Sequence, residues 1–186
     1  MDTPGSYDRF AERVRGLGPV CDLGCGPAQV ARYLHERGIP VLGVDASAGM
    51  VAEARRLNPS LDIRQGDMRA LDVPDDAWGG IVAFYSLIHI PRDEMVVVLR
   101  ELRRVLQPGG WLTLAFHLGD ETIHLDEWFD TAVDLDFTFF RREEMEGYLR
   151  EAGFADIDGV ERPPYPDVEV QTHRAYLFAR KPEPSS

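Results

Sequence analysis

The chain has 186 residues, enough for one domain with a sizeable core, and its 44% apolar and 28% charged content is ordinary for a globular protein. Acidic residues outnumber basic ones by 32 to 20, a net charge of -12 that repels phosphate backbones and excludes nucleic acid as the main partner. The first residues are polar rather than leader-like, and the longest apolar run, 81–90, is about half a bilayer span, so the expectation is a cytoplasmic protein with no membrane partner.

In chain order, residues 7–18 pattern as a short helix ending at glycine, with Phe10 and Val14 on one face and charges opposite. Residues 19–24 (PVCDLG) form a buried strand stopped by Gly24. Residues 28–38 follow with Val30, Ala31 and Leu34 at helical spacing and Gly38 as the cap. Residues 40–47 are a second strand ending in Asp45, Ser47 caps a helix over 48–57, and 61–67 is a third strand. The continuous apolar run 79–90 holds a fourth strand and continues past its end. A helix over 91–110 then opens near Pro91 and stops at Pro108-Gly109-Gly110, and 111–117 is a fifth strand. Strands that are apolar on both faces and alternate with helices predict a doubly wound, Rossmann-like α/β sheet, mostly parallel.

The C-terminal third changes character. Residues 119–140 are rich in acids and aromatics without a helical frame, and 141–153 is a helix closed by Gly153. Segments 154–165 and 168–181 alternate like the two strands of an antiparallel hairpin, with Pro163, Pro164 and Pro166 between them. No repeat or linker divides the chain, so 1–181 is expected to be a single domain and 182–186 a disordered tail.

Cys21 and Cys25 lie four apart, neither the spacing of a redox pair nor half of a zinc site, and a disulfide would have to span a strand and the turn that ends it. They are expected to be buried free thiols. The strand–glycine–helix sequence around them has a different use. Gly24 and Gly26 allow a tight turn and close approach of a ligand to the backbone, the next helix offers unpaired N–H groups, and Asp45 ends the following strand, where a carboxylate accepts from ribose hydroxyls. These features predict a ribose-bearing cofactor. A pyrophosphate loop needs a third glycine, and position 29 is Gln, which disfavours a nicotinamide-dependent oxidoreductase.

The segments VCDLGCGPA, VLGVDASAGM, QGDMRAL, GGIVAFYSLIHI and LRRVLQPGGWLTLAF, in this order over about residues 18–118, resemble the successive motifs of class I S-adenosylmethionine-dependent methyltransferases, of a bacterial small-molecule branch. The resemblance implies S-adenosylmethionine as cofactor, a small-molecule acceptor, no metal, and a monomer or homodimer. It places Asp22, Gly24, Cys25 and Gly26 at the methionine part, Asp45, Ala46 and Met50 at the ribose, and Asp67 and Met68 at the adenine. Phe84, Tyr85 and Ser86 fall beside the sulfonium. Family members typically carry glycine where this chain has Ala28.

On the acceptor side His89, His117 and Tyr85 are the candidate catalytic groups, histidine being the side chain that titrates near neutrality. The His, Asp and Glu residues of 117–127 are too loosely spaced for a metal site. The first strand begins near residue 19, leaving one short helix where relatives carry a longer lid. Residues 119–140 are therefore the expected substrate flap, with Trp128, Phe129, Phe137, Phe139 and Phe140 on its apolar side. Glu121, Asp126 and Glu127 would attract an amine-bearing acceptor. A protein that kept the fold to bind the cofactor without catalysis is the alternative.

Overall fold

The four strands with the most buried side chains set the frame. The computed structural model describes residues 5–128 and 131–184, with the backbone alone for 127–128 and 131–133. Strands β1 (Val20–Leu23), β2 (Val41–Asp45), β3 (Asp62–Gln65), β4 (Trp78–Phe84) and β5 (Leu106–His117) pair in parallel. β9 (Arg174–Arg180) runs antiparallel to β5, and β8 (Ala155–Arg162) antiparallel to β9, giving the order β3-β2-β1-β4-β5-β9-β8. The expected sheet, parallel with an antiparallel C-terminal hairpin, is the one observed.

Alternate residues of each central strand feed opposite cores. On one face Val20, Val82 and Phe178 meet Phe10 and Val14 of α1 (Ser6–Val14) and Leu34 of α2 (Gln29–Glu36). Beside them Val51 and Ala54 of α3 (Ala48–Leu57) pack on Ala31 and Ile63. On the other face Ile81, Leu114 and Leu177 meet Leu99 and Leu102 of α4 (Met95–Val105) and Met145 and Leu149 of α5 (Arg142–Glu151). Each such fully buried side chain contributes about 1.5–3 kcal/mol. Ser47 caps α3 as expected, its Oγ accepting from Met50 N at 3.3 Å. No helix among the described residues is long and apolar enough to cross a membrane.

Two expectations are corrected, and two segments take a more definite form. The helix expected over 91–110 occupies only 95–105, and Leu106–Gly110 already belong to β5. Gly109 N donates to Lys181 O and Lys181 N to Gly110 O, so a residue pair far apart in sequence recruits a Pro-Gly-Gly segment into the sheet. The fourth strand ends at Phe84, inside the apolar run that continues past it; Tyr85 takes φ +56°, and Leu87–His89 form a 3-10 turn. Residues 119–140, read as lacking a helical frame, hold strands: β6 (Thr122–Trp128) and β7 (Thr131–Thr138) make a separate two-stranded sheet. Residues 163–173, expected partly as strand, form a loop, because Glu169 is drawn between Arg162 and Arg174 while Val168 and Val170 stay exposed. Phe129, Ser185 and Ser186 lie outside the described residues.

Candidate active site

The sheet reverses its winding between β1 and β4, and the C-terminal ends of these strands are where such sheets bind ligands. Leaving β1, the chain turns through Gly24 (φ +69°) and Gly26 (φ +49°), and Gly24 N and Cys25 N both donate to Val44 O at 2.7 and 3.1 Å. A Cβ on Gly24 would stand 2.2 Å from Ser86 Cβ, so the turn lies directly against the end of β4. A Cβ on Gly26 would meet nothing within 4 Å; that face of the loop is open.

Three carboxylates surround the loop, each engaged differently. Asp45 Oδ2 accepts from Gly26 N at 2.8 Å and its Oδ1 from Ser47 N at 2.9 Å, so one side chain joins the glycine loop to the start of α3. Asp67 accepts from Arg69 N at 2.9 Å and is half exposed. Asp22 is buried, and its Oδ2 accepts from Ala31 N at 2.9 Å, fixing the first turn of α2. Burial, with the nearby Asp45 charge, pushes the Asp22 carboxyl up to about 7. The Cys21 and Cys25 thiols are free and buried, the latter pushed up to about 12 by burial.

Raising the acid's pKa in the fold has a predictable sign. Folded Asp22 takes up its proton near pH 7 and the unfolded carboxyl only near pH 4, so its contribution to stability falls as pH rises through that window. Asparagine at this position still accepts from Ala31 N and carries no charge. The Asp22→Asn variant is expected to be more stable than wild type by about 4 kcal/mol at about pH 8, with the gain vanishing toward about pH 4. Urea denaturation at the two pH values measures it.

Two cavities meet over this loop. The larger, of about 940 Å³, is lined by Gly24, Gly26, Asp45, Ala46, Met50, Asp67, Met68, Ser86, Ile90 and His89, and by Asp134, Leu135 and Phe137 of β7. The smaller, of about 400 Å³, is lined by Tyr7, Asp22, Gly24, Cys25, Gly26, Phe84, His117, Glu169, Val170 and Arg174. Tyr85, with its left-handed backbone, lines both. Every residue singled out in the sequence as a cofactor-binding or catalytic candidate thus faces one cavity or the other.

The histidines differ. His89 donates from Nδ1 to Asp136 O at 2.9 Å and meets the Phe137 ring edge-on at 4.7 Å, tying the β6–β7 hairpin to the end of β4. His117 packs against the rings of Tyr85 and Phe139, and its Nδ1 is 2.7 Å from Thr172 Oγ1. Burial, and then the Arg174 charge, lower its pKa to about 4, leaving the ring neutral at physiological pH. Of the flap aromatics, Phe137 lines the larger cavity whereas Phe139 and Phe140 are core. Glu121 and Asp126 line neither cavity, and His124 is instead held on the hairpin by Asp126 and Asp136. Among the described residues no group of three His, Cys, Asp or Glu side chains could hold a metal ion.

Sequence reasoning missed Tyr7, Glu169, Val170, Arg174 and Leu135. Tyr7 sits at the start of α1 with no local signal. The others come from segments whose structure depends on distant partners.

The methyltransferase-domain family model matches residues 20–110, which span β1 to the start of β5. A malonyl-acyl-carrier-protein O-methyltransferase of Serratia marcescens is 30% identical over 179 residues, covering 82% of this chain and 69% of that protein. A Mycolicibacterium smegmatis protein named as an S-adenosylmethionine-dependent methyltransferase is 29% identical over 185 residues, covering 93% of this chain and 70% of its own. Coverage is shorter for the malonyl-acyl-carrier-protein O-methyltransferase of Enterobacter lignolyticus, of which the chain spans 38% at 33% identity. An S-adenosylmethionine-dependent methyltransferase structure from Methanosarcina mazei superposes with a TM-score of 0.81 over 98% of this chain and 100% of that one; at 15% identity this shows the fold. The chain belongs to the S-adenosylmethionine-dependent methyltransferases, and S-adenosylmethionine is its cofactor.

Proposed function

We propose that the chain moves the methyl group of S-adenosylmethionine to a small-molecule acceptor where the two cavities meet, beside Tyr85. The supporting observation is the Asp45 carboxylate, pinned at the end of β2 by two backbone N–H groups and facing the larger cavity next to the open side of Gly26. Its remaining lone pairs suit two ribose hydroxyls. Ala46 and Met50 would line the same side, with Asp67 and Met68 at the adenine. The methionine part would lie along Gly24, Cys25 and Gly26 toward Phe84, Tyr85 and Ser86. Asp22, already bonded to Ala31 N, supports that loop from beneath. The carboxylates around the loop also complement a cation, and the cofactor's reactive centre is one.

S-adenosylmethionine supplies a methyl group already activated on a sulfonium, so the protein's tasks are alignment, exclusion of water and, for a protic acceptor, removal of a proton. Leu135 and Phe137 wall the larger cavity and give the hairpin the part of a flap. His117, beside Tyr85, is the candidate general base, one weakened by the burial and Arg174 charge that lower its pKa; His89 acts by holding the hairpin. Two buried unpaired thiols suit a cytoplasmic protein, working as a monomer or homodimer.

Calorimetric titration with S-adenosylhomocysteine tests the cofactor site, and formation of that product with a panel of acceptors tests catalysis. Binding without turnover on any acceptor would instead favour a non-catalytic binding protein. Turnover is also expected to survive excess EDTA; loss of activity restored by a divalent ion would contradict the assignment.

A further inference from the structure

The larger cavity, of about 940 Å³, stands near the top of the range that one drug-sized ligand occupies, about 300–1,000 Å³. Only the adenosine half of the cofactor belongs there, against Asp45, Ala46, Met50, Asp67 and Met68. A second wall of the same cavity is assigned to no part of the cofactor. It consists of Ile90, 2% exposed, Leu135 and Phe137 of β7, and His89. This wall is built into the fold. Arg92 donates to Thr122 Oγ1 and Phe139 O at the two feet of the β6–β7 hairpin and to Glu144 Oε1 of α5, and His89 Nδ1 holds Asp136 O further along β7.

The charged groups lining this cavity offer the second wall no buried counter-charge. Asp45 is held by Gly26 N and Ser47 N, Asp67 by Arg69 N, and Arg69 by Glu94 at 2.7 Å. Asp134 has a side chain 98% exposed, where water and salt screen it. The neighbouring hydroxyls are engaged: Ser86 Oγ donates to Leu23 O at 2.8 Å, and Tyr85 Oη shares a hydrogen bond with Tyr176 Oη. His89 differs. A carbonyl oxygen only accepts, so Nδ1 carries the proton in the bond to Asp136 O, and in the neutral ring Nε2 keeps its lone pair. The bond that ties down the hairpin thus also fixes the tautomer, and it leaves a hydrogen-bond acceptor on an otherwise apolar wall.

We propose that the hairpin side of the larger cavity takes a neutral methyl acceptor, an apolar ring or chain with one hydroxyl or ring N–H directed at His89 Nε2. This rests on the cofactor reading of the same cavity and names the class of molecule that joins the cofactor there. It departs from the expectation of an amine-bearing acceptor: of the acids that suggested it, Glu121 and Asp126 line neither cavity. An ammonium or a carboxylate would lose its hydration against Ile90, Leu135 and Phe137 and gain no buried partner among the described residues of that wall.

The experiment uses the full chain saturated with S-adenosylhomocysteine and four probes on one skeleton: 2-naphthol, 2-methoxynaphthalene, 2-naphthoate and 2-naphthylmethylammonium. Binding is read by calorimetry. The naphthol is expected to bind at least about tenfold more tightly than either ion and about threefold to tenfold more tightly than the ether. His89→Asn keeps an N–H for Asp136 O but has no nitrogen in the place of Nε2, and should bring naphthol and ether within about twofold of each other. Leu135→Asp, at a half-buried position on the hairpin, should weaken the naphthol at least about tenfold while S-adenosylhomocysteine affinity stays within about twofold. The wild-type ratios measure the preference even where a variant fails to fold. Either ion binding as tightly as the naphthol, no naphthol binding at millimolar concentration, an undiminished naphthol preference over the ether in folded His89→Asn, or unchanged naphthol binding in folded Leu135→Asp would each overturn the proposal. Failure of S-adenosylhomocysteine to bind the wild-type chain would instead count against the cofactor site.

Discussion

Asp45→Ala is expected to lower affinity for S-adenosylhomocysteine on the order of a hundredfold while leaving the protein folded. One charged hydrogen bond to a ribose hydroxyl contributes about 1.5–3 kcal/mol, which is about tenfold to over a hundredfold in binding. A second loss adds to it, because the same carboxylate holds Gly26 N and Ser47 N and so fixes the loop against the start of α3. Asparagine does not rescue this site: with two backbone donors on the two carboxylate oxygens, its NH2 group would have to face one of them. Asp45→Asn should therefore bind nearly as poorly as Asp45→Ala. Calorimetry on both variants, with circular dichroism to confirm the fold, decides it; unchanged affinity in either would remove Asp45 from the cofactor site.

Gly24→Ala is expected to destabilise the protein by about 2–4 kcal/mol and abolish measurable cofactor binding. The added Cβ would stand 2.2 Å from Ser86 Cβ and 3.0 Å from Ser86 Oγ, and Ser86 cannot swing away without breaking its bond to Leu23 O. Gly26→Ala separates the two effects. Its Cβ meets no protein atom within 4 Å, and the chain already tolerates an alanine with φ +62° two residues on, at Ala28. Gly26→Ala should cost about 1 kcal/mol of stability yet still weaken the cofactor, because the methyl fills the open face of the loop. Denaturant unfolding and calorimetry on the pair provide the comparison.

The legible parts of this structure are those fixed locally. β1 and β4 read directly because both of their faces are buried and, Asp22 apart, neither run carries a charge. Asp45 was legible as a cavity-lining residue because it stands at a strand end beside a glycine turn. The segments that misled are those fixed at long range. Pro108-Gly109-Gly110 has the composition of a stop, and only its bonds to Lys181 make it strand. The β6–β7 hairpin carried a faint period of two, with Ile123, Leu125, Leu135 and Phe137 alternating against polar neighbours, but half-exposed strands lack a strong apolar run. Val168 and Val170 alternated convincingly around Glu169, yet two buried arginines outweighed the valines and pulled the segment out of the sheet. The cavity-lining residues overlooked, Glu169 and Arg174, belong to that same long-range contest.

The placement of β9 between β5 and β8 bears on how the molecule is made. β5 pairs with a strand that leaves the ribosome much later; Thr113 bonds Leu177 across 64 positions of sequence. At a synthesis rate of about 5–20 residues per second, the β5 edge waits roughly 3–13 s for its neighbour. During that interval the nascent chain exposes an unpaired apolar strand, Leu112 to Phe116, which is the kind of surface chaperones capture and neighbouring nascent chains stick to. Vectorial synthesis therefore delays closure of the sheet until residues 174–180 emerge, and the wall bearing Arg174 is assembled in that final step.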